Sequence, residues 1–565
     1  MKKIIEEAAA LIAEATGCSL EEASATTELS KKIGDISSTI AFSIAKRQGR
    51  NPADTAKEIV RRMKKSKNFS RVEAVGPYIN FYFSDLFYAN AIKRMLKDGD
   101  KFGKGKRTGK KIMVEYFDAN THKGTHIGHI RNISLGEAIC RLLEFSGNKV
   151  IRANYQGDIG PHVAKCLWGF INLYHENPPE EHRGVWLGKV YAETSRKAEE
   201  NQEIEKQIQE INLKLYARDK GITEIWKRTR EWCLEDFAKF YKEFGVRFDE
   251  FYFESQTESI GKKISLELLE RGVAKIDQGA VIVDLRDENL GVAVLLTKEG
   301  YPLYHAKDLG LAKLKFDKYK DLHRSIYVVG KEQELYFKQL FKIFERAGMS
   351  RIAEVSYHLV YELVMLPEGK MSSREGTMVL YEDLKRKMLD IVEAEVKKRH
   401  ADWNEEKVKE IALKVALAAI KFSMVRRESN RAIVFDWDEA LSLEGDTGPY
   451  LQYAYVRTCG IIRKAGYTHG ISKEYVFTED EKRLIKRMYS FPEIVKSAAS
   501  SLSPHVLCDY LLDLATELNK FYTTTRVLNA ETKEERETRL AIVMCANQTL
   551  KNALHLLGIE APGVM

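Results

Sequence analysis

Two histidines three residues apart, His126 and His129, stand in the run Thr125–His129 (THIGH), just after the β-prone segment Ile112–Phe117 and a short loop. The apolar spacing that follows, up to about Phe145 and the Gly147-Asn148 stop, predicts that this run opens a helix. Two imidazoles on one face of a helix N-terminus can donate hydrogen bonds to a phosphate beside the unsatisfied backbone N–H groups. Gly128 between them leaves room for a flat base. The same spacing also suits a metal-ligand pair or two ordinary surface histidines. A second run, Gly369–Gly376, carries Lys370, Met371, Ser372, Ser373 and Arg374 between glycines. One lysine, two hydroxyls and an arginine on a flexible loop suit a polyphosphate, although a basic loop alone is more often a solvated turn.

Bringing these runs together requires a scaffold, and the chain between them reads as one. From Ile112 the short β-rich runs Ile112–Phe117, Lys149–Tyr155, Ala280–Leu285 and Ser325–Gly330 alternate with helical text, the pattern of a mainly parallel α/β sheet with crossover helices. Residues 166–280 are charged and mostly helical, as in Lys197–Lys220, and read as an insertion between two halves of the sheet, 101–165 and 281–384. Residues 1–100 read as a small α+β domain ending in a strand over Gly76–Ser84. The Gly- and Lys-rich segment Lys101–Lys111 then reads as a flexible, solvated linker. From 385 to 565 a 3.6-residue period dominates and predicts a helical bundle.

Composition narrows the class without naming it. At 565 residues the chain has room for several domains. No apolar run approaches the ~20 residues of a membrane span, and the acidic residues Glu6, Glu7 and Glu14 make the start an amphipathic helix rather than a signal peptide. The 7 cysteines form no C-x-x-C pair, which speaks against a zinc knuckle or disulfide framework and for a reducing compartment. A net charge of +8 permits a nucleic-acid partner.

In this order, about 240 residues apart and flanking an interrupted α/β sheet, the two runs resemble the HIGH and KMSKS signatures of class I aminoacyl-tRNA synthetases. Within that class Val114–Asn132 (VEYFDANTHKGTHIGHIRN) is similar to the arginyl family, with Glu115, Asn120, Lys123, His126, Gly128, His129 and Arg131 in matching positions. Gly157–Gly160, Phe248–Ser255, Tyr327–Phe341, Gly445–Arg457 and the closing LGIEAPGVM follow in family order. The sequence departs from the family at Asp118-Ala119, where Ser-Pro is usual, at Gly124 in place of a proline, and at Ala306-Lys307, where Thr-Arg is usual.

The resemblance implies a Rossmann-like catalytic core split by the helical insertion, an N-terminal domain touching the tRNA elbow, and an all-helical anticodon-binding domain. It implies an arginine–tRNA ligase that uses ATP with its Mg2+, L-arginine and tRNA(Arg), without a dedicated metal site or an editing domain. It further implies a cytoplasmic monomer that needs bound tRNA before it forms adenylate. By motif position, Thr125, His126, Gly128, His129, Lys370, Met371, Ser372 and Ser373 would hold ATP, with His126, His129 and Lys370 carrying the chemistry. A guanidinium calls for a planar carboxylate and an aromatic wall, and Glu115, Asn120, Tyr304, Asp308 and Gln333 are the candidates for arginine. Each has a plainer alternative: Asp308 as a helix cap, Glu115 and Gln333 as sheet-end hydrogen bonders, Tyr304 as core. For tRNA the candidates are Arg61, Arg62, Lys64 and Lys65 in a basic helical region, and Tyr450, Gln452 and Tyr453 at the entry to the bundle. A solvated helix face and core aromatics are the alternatives. Three other functions compete: a class I synthetase for another amino acid, a small nucleotidylyltransferase, and a non-catalytic paralogue. The length argues against the second, and intact His126, His129 and Lys370 against the third.

Overall fold

The β-branched and apolar residues of Lys111–Glu115 form the middle strand of a five-stranded, wholly parallel sheet. The computed structural model describes the chain except Lys31, 366–378, 467–469 and Lys473. Across the sheet the order is Ser356–Tyr361, Arg324–Gly330, Lys111–Glu115, Lys149–Gln156, Glu250–Phe253, with Tyr327, Glu115 and Ala153 level with one another. Strand order reverses on either side of Lys111–Glu115, and a crevice opens at the carboxyl ends of the strands at such a switch point. Every candidate for ATP or arginine that the structure describes comes from this edge of the sheet or from the elements packed on it. The fold is the expected α/β class, with an α+β domain before the core and a helical bundle after it.

Several elements differ from the sequence reading. The stretch 166–280, read as an insertion, contains the sheet strand Glu250–Phe253, and the helices that interrupt the sheet run from Pro161 to Glu243. The run Ala280–Asp284 joins a separate three-stranded antiparallel sheet rather than the parallel one. The segment before Lys111 has no regular structure but is pinned: Gly105 and Thr108 donate backbone hydrogen bonds to Phe145 and Gly147, and Lys149 donates to Lys110.

The N-terminal sheet is antiparallel and four-stranded, and its residue Phe83 and Phe87 of the following helix Asp85–Asp98 share one apolar cluster with Phe102, Phe491, Leu540 and Leu554 of the core edge and the bundle. Among the described residues no helix is long and apolar enough to cross a membrane.

Candidate active site

The helix Ile127–Phe145 begins where expected, with His126 as its N-cap. Both imidazoles are tied into the helix end through Nδ1: His126 Nδ1 accepts from the Gly128 N–H and His129 Nδ1 from the His126 N–H, each at 3.2 Å. The rings lie 3.8 Å apart. A Cβ at Gly128 would come within 3.0 Å of the His126 ring, so glycine here lets the imidazole fold back over the helix start. Burial lowers His126 to about 4, and burial together with the His126 ring holds His129 well below its usual value. Both rings are therefore neutral at pH 7. With Nδ1 accepting, the ring proton sits on Nε2, so each histidine presents one Nε2–H.

These donors face a cleft of about 310 Å³ lined also by Asp118, Gly330, Tyr361 and Met365. Its floor is a constrained loop. Phe117 and Asp118 both adopt left-handed backbone angles, φ 78° and 43°, which costs non-glycine residues on the order of 1–3 kcal/mol each. Asn132, one turn into the helix, holds the loop: its Oδ1 accepts from the Phe117 N–H at 2.5 Å and its Nδ2 donates to Val328 O at 2.7 Å. The Phe117 ring packs on Phe237, Phe240 and Tyr241 of the last inserted helix. The start of the histidine run is also bonded to the chain beyond 378, since Ile127 N–H donates to Val379 O and Tyr381 N–H to Thr125 O. Lys370, Met371, Ser372 and Ser373 lie outside the described residues.

Behind the cleft is a cluster of buried carboxyl groups. Asp308, in the first turns of the helix Tyr304–Lys318, accepts from the Tyr336 hydroxyl, and burial pushes its carboxyl up to about 7 against that hydrogen bond, with the charge of Glu115 adding to the rise. Tyr336 lies in turn against His305, ring centroids 4.4 Å apart. Asp118 Oδ1 accepts from the Tyr155 N–H at 2.9 Å, and burial, then the charge of Glu115, raises this carboxyl well above the usual range. Glu115 is 4% exposed and ion-paired with the fully buried Lys315, whose charged form that pairing stabilises against burial. Glu254 is likewise paired with Lys307, at 2.6 Å.

Of the arginine candidates, then, Asp308 makes no ion pair among the described residues, while the Glu115 carboxylate is already taken by Lys315. Asn120 sits against Gly157, where a Cβ would lie 2.0 Å from Asn120 Oδ1, so glycine makes room for the Asn120 side chain. Tyr304 is 69% exposed at the rim rather than in the core, and Gln333 is exposed at the N-terminus of the helix Glu334–Arg346. Asn132, Tyr155, Lys315, Tyr336 and the Glu254–Lys307 pair were missed by sequence reasoning. Tyr336 fell inside a run that carried the family resemblance, but nothing marked it there.

The RNA candidates divide. Arg61 and Lys65 are exposed and make no ion pair among the described residues, whereas Arg62 pairs with Glu58 and Lys64 with Glu14. In the bundle, Tyr453 is 39% exposed. Tyr450 is half-buried, its hydroxyl accepting from Asn519 Nδ2 at 2.9 Å. Gln452 is fully buried, its Nε2 donating to Lys414 O and Glu560 O. That side chain is an interior fastener, not the surface contact expected from the sequence.

Comparison with known proteins matches this geometry over the whole chain. The family model "tRNA synthetases class I (R), catalytic domain" matches residues 91–437, "DALR anticodon binding domain" 451–565, and "Arginyl tRNA synthetase N terminal domain" 1–83. The arginine–tRNA ligase of Bdellovibrio bacteriovorus is 37% identical, over 93% of this chain and 91% of that protein. That of Clostridium perfringens is 33% identical over 92% of each. The arginyl-tRNA synthetase structure from Thermus thermophilus superposes with a TM-score of 0.80 at 28% identity, covering 100% of both chains. With neutral donors at a helix start, a cluster of buried carboxyls behind them and these three family matches along its length, the chain belongs to the arginyl-tRNA synthetase family of class I.

Proposed function

We propose that this arginine–tRNA ligase works by positioning and charge stabilisation, with no covalent protein intermediate. The arginine α-carboxylate attacks the α-phosphorus of ATP in line, forming the C(O)–O–P bond of arginyl-adenylate as the bond to pyrophosphate breaks. The 2′-OH of the terminal adenosine of tRNA(Arg) then attacks the adenylate carbonyl, its proton is lost, and AMP leaves.

The observation that carries this reading is the juxtaposition of the two histidine donors at the cleft with the buried carboxyl cluster next to it. Neutral donors at a helix N-terminus favour the charge that builds on the α-phosphate oxygens. Asp308, beside Tyr336, offers the guanidinium a carboxylate that becomes more acidic as the cation arrives. Asn120 and Gln333 would take the amino acid's polar end, with Tyr304 at the rim, while Glu115 organises the pocket through Lys315. Thr125 and Gly128 would line the ATP path, with Lys370, Met371, Ser372 and Ser373 at the pyrophosphate by motif position. ATP brings Mg2+ bound to its phosphates. Arg61, Lys65 and Tyr453 are the exposed members of the RNA candidates and would meet tRNA(Arg) at the elbow and anticodon ends. The seven cysteines, none in a disulfide, suit the proposed cytoplasmic monomer.

The test is ATP–pyrophosphate exchange with each of the twenty amino acids, with and without tRNA. Exchange with arginine alone among them, and only when tRNA is present, is expected. Exchange with another amino acid overturns the specificity, and arginine exchange at full rate without tRNA overturns the order of binding.

A further inference from the structure

Among the buried positions of the helix Glu405–Val425, otherwise aliphatic or aromatic, one is charged: Lys421, 7% exposed between Ile420 and Phe422. It forms no ion pair among the described residues. The charges that reach it are Arg141 and Glu137 of the helix Ile127–Phe145 and Glu560, and burial, then the Arg141 charge, lowers its ammonium to about 7. An aliphatic side chain would fill this place without the cost of burying an amine. What the amine does is donate to Phe244 O and Gly558 O, at 2.7 Å each. Both carbonyls lie just beyond helix C-termini, those of Lys220–Glu243 and Lys533–Leu556, where intrahelical partners run out and a cation is favoured. Arg141 ties the same two ends, donating to Gly245 O at 2.8 Å and to His555 O at 3.0 Å.

The inserted helix held in this way supports the cleft floor. From Lys421 a ladder of rings runs inward. Its Nζ lies 4.6 Å from the centre of the Phe244 ring, Phe244 is 5.2 Å from Phe240, Phe240 stacks on Phe117 at 5.4 Å, and Phe117 is 5.8 Å from His129. Rings packed in series pass a displacement on rather than absorb it. We infer that Lys421 is a positioning residue for adenylate formation: by fastening the end of the helix Lys220–Glu243 to the segment after Lys533–Leu556, it fixes the aromatic ladder that sets Phe117 and, through it, the His129 donor. The inference rests on the reading of the histidine cleft as the place where ATP meets arginine.

The experiment is arginine-dependent ATP–pyrophosphate exchange by the full-length protein with tRNA present, well below its unfolding temperature. Lys421→Met should lower kcat by about 30-fold, because misplacing a reacting group by an ångström can cost about 10²-fold, while KM for arginine and for ATP stays within about twofold. Lys421→Arg, whose guanidinium can reach both carbonyls across the cavity of about 330 Å³ that Lys421 lines, should bring kcat back to within about threefold of the unmodified protein. Phe240→Leu breaks the ladder in its middle and should also lower kcat alone. In the double variant Lys421→Met with Phe240→Leu the two losses should not multiply, because both act through one set of contacts. An unchanged kcat in either single variant, losses that fall on KM, losses that multiply, or a Lys421→Arg protein as slow as Lys421→Met overturns the inference. Phe240→Leu alone decides the matter if Lys421→Met does not fold. His129→Ala separates the two failures: if it leaves exchange intact the cleft reading is wrong, and if it slows exchange while Lys421→Met does not, only the inference falls.

Discussion

The histidine end of the cleft and the carboxyl end behind it are both buried, and burial does opposite things to them. It holds His126 and His129 neutral at pH 7, so the side proposed for ATP is built of donors that do not titrate when an anion arrives. It lifts Asp308 to about 7, so the side proposed for arginine is built of an acid poised to lose its proton when a cation arrives. One physical cause thus yields a fixed dipolar site and an adaptive charged one, joined by the strained loop Phe117–Asp118. The contrast can be broken from either end.

The largest effect is expected at the carboxyl end. Asp308→Asn leaves Tyr336 a partner but removes the only charge proposed to meet the guanidinium, and kcat/KM for arginine should fall by about 10³-fold, the scale of breaking a buried charged pair. KM for ATP, measured in the same exchange assay, should barely move. Equal losses for both substrates would mean that Asp308 supports the fold of the cleft and not arginine recognition. At the other end, His126→Ala or His129→Ala removes one Nε2–H donor, and kcat should fall by about 10²-fold. Arginine affinity by calorimetry should stay the same, and a loss there would erase the division between the two ends.

The same contrast predicts a pH dependence with a definite sign. Asp308 has its raised value, about 7, in the free pocket, and a bound guanidinium lowers it. Arginine therefore prefers the ionised carboxyl: its affinity is full above about 7 and falls by about tenfold per pH unit below it, until the lowered value of the complex is reached. With His126 titrating only near 4, ATP affinity should not share that fall between pH 5.5 and 7, a range set by those two values. Parallel titration curves for the two substrates would contradict it.

How much of this was legible in the sequence depended on whether a residue's partner was near it. Lys111–Glu115, Lys149–Gln156 and Arg324–Gly330 read as strands because their own residues are β-prone, and His126 and His129 read as a pair because they are three apart. Glu250–Phe253 was hidden because its short aromatic run lies among charged helical text. Ala280–Asp284 was correctly a strand but in the wrong sheet, since β-propensity says nothing about partners. Glu115 read as a free ligand because Lys315, its counter-ion, comes 200 residues later in a helix where a lysine reads as surface. Strain at Asp118, the Tyr155 contact and the commitment of Lys307 to Glu254 are likewise matters of packing that no local pattern announces.

The RNA-facing candidates show the same limit on the smallest scale. Tyr453 and Gln452 are neighbours in sequence and opposites in the fold, because adjacent positions on a helix lie about 100° apart and one faces solvent when the next faces the core. Tyr453→Ala should therefore raise KM for tRNA(Arg) a few-fold, roughly one lost stacking contact, and leave thermal unfolding unchanged. Gln452→Ala should do the reverse. It strips the donor from Lys414 O and Glu560 O, which tie the helix Gly448–Ala465 to the helix Glu405–Val425 and to the chain's last residues, and should lower stability by about 1–3 kcal/mol while tRNA affinity holds. If Gln452→Ala instead weakened tRNA binding without a change in unfolding, the buried amide would have to open toward RNA, and the separation drawn between fastener and contact would not stand.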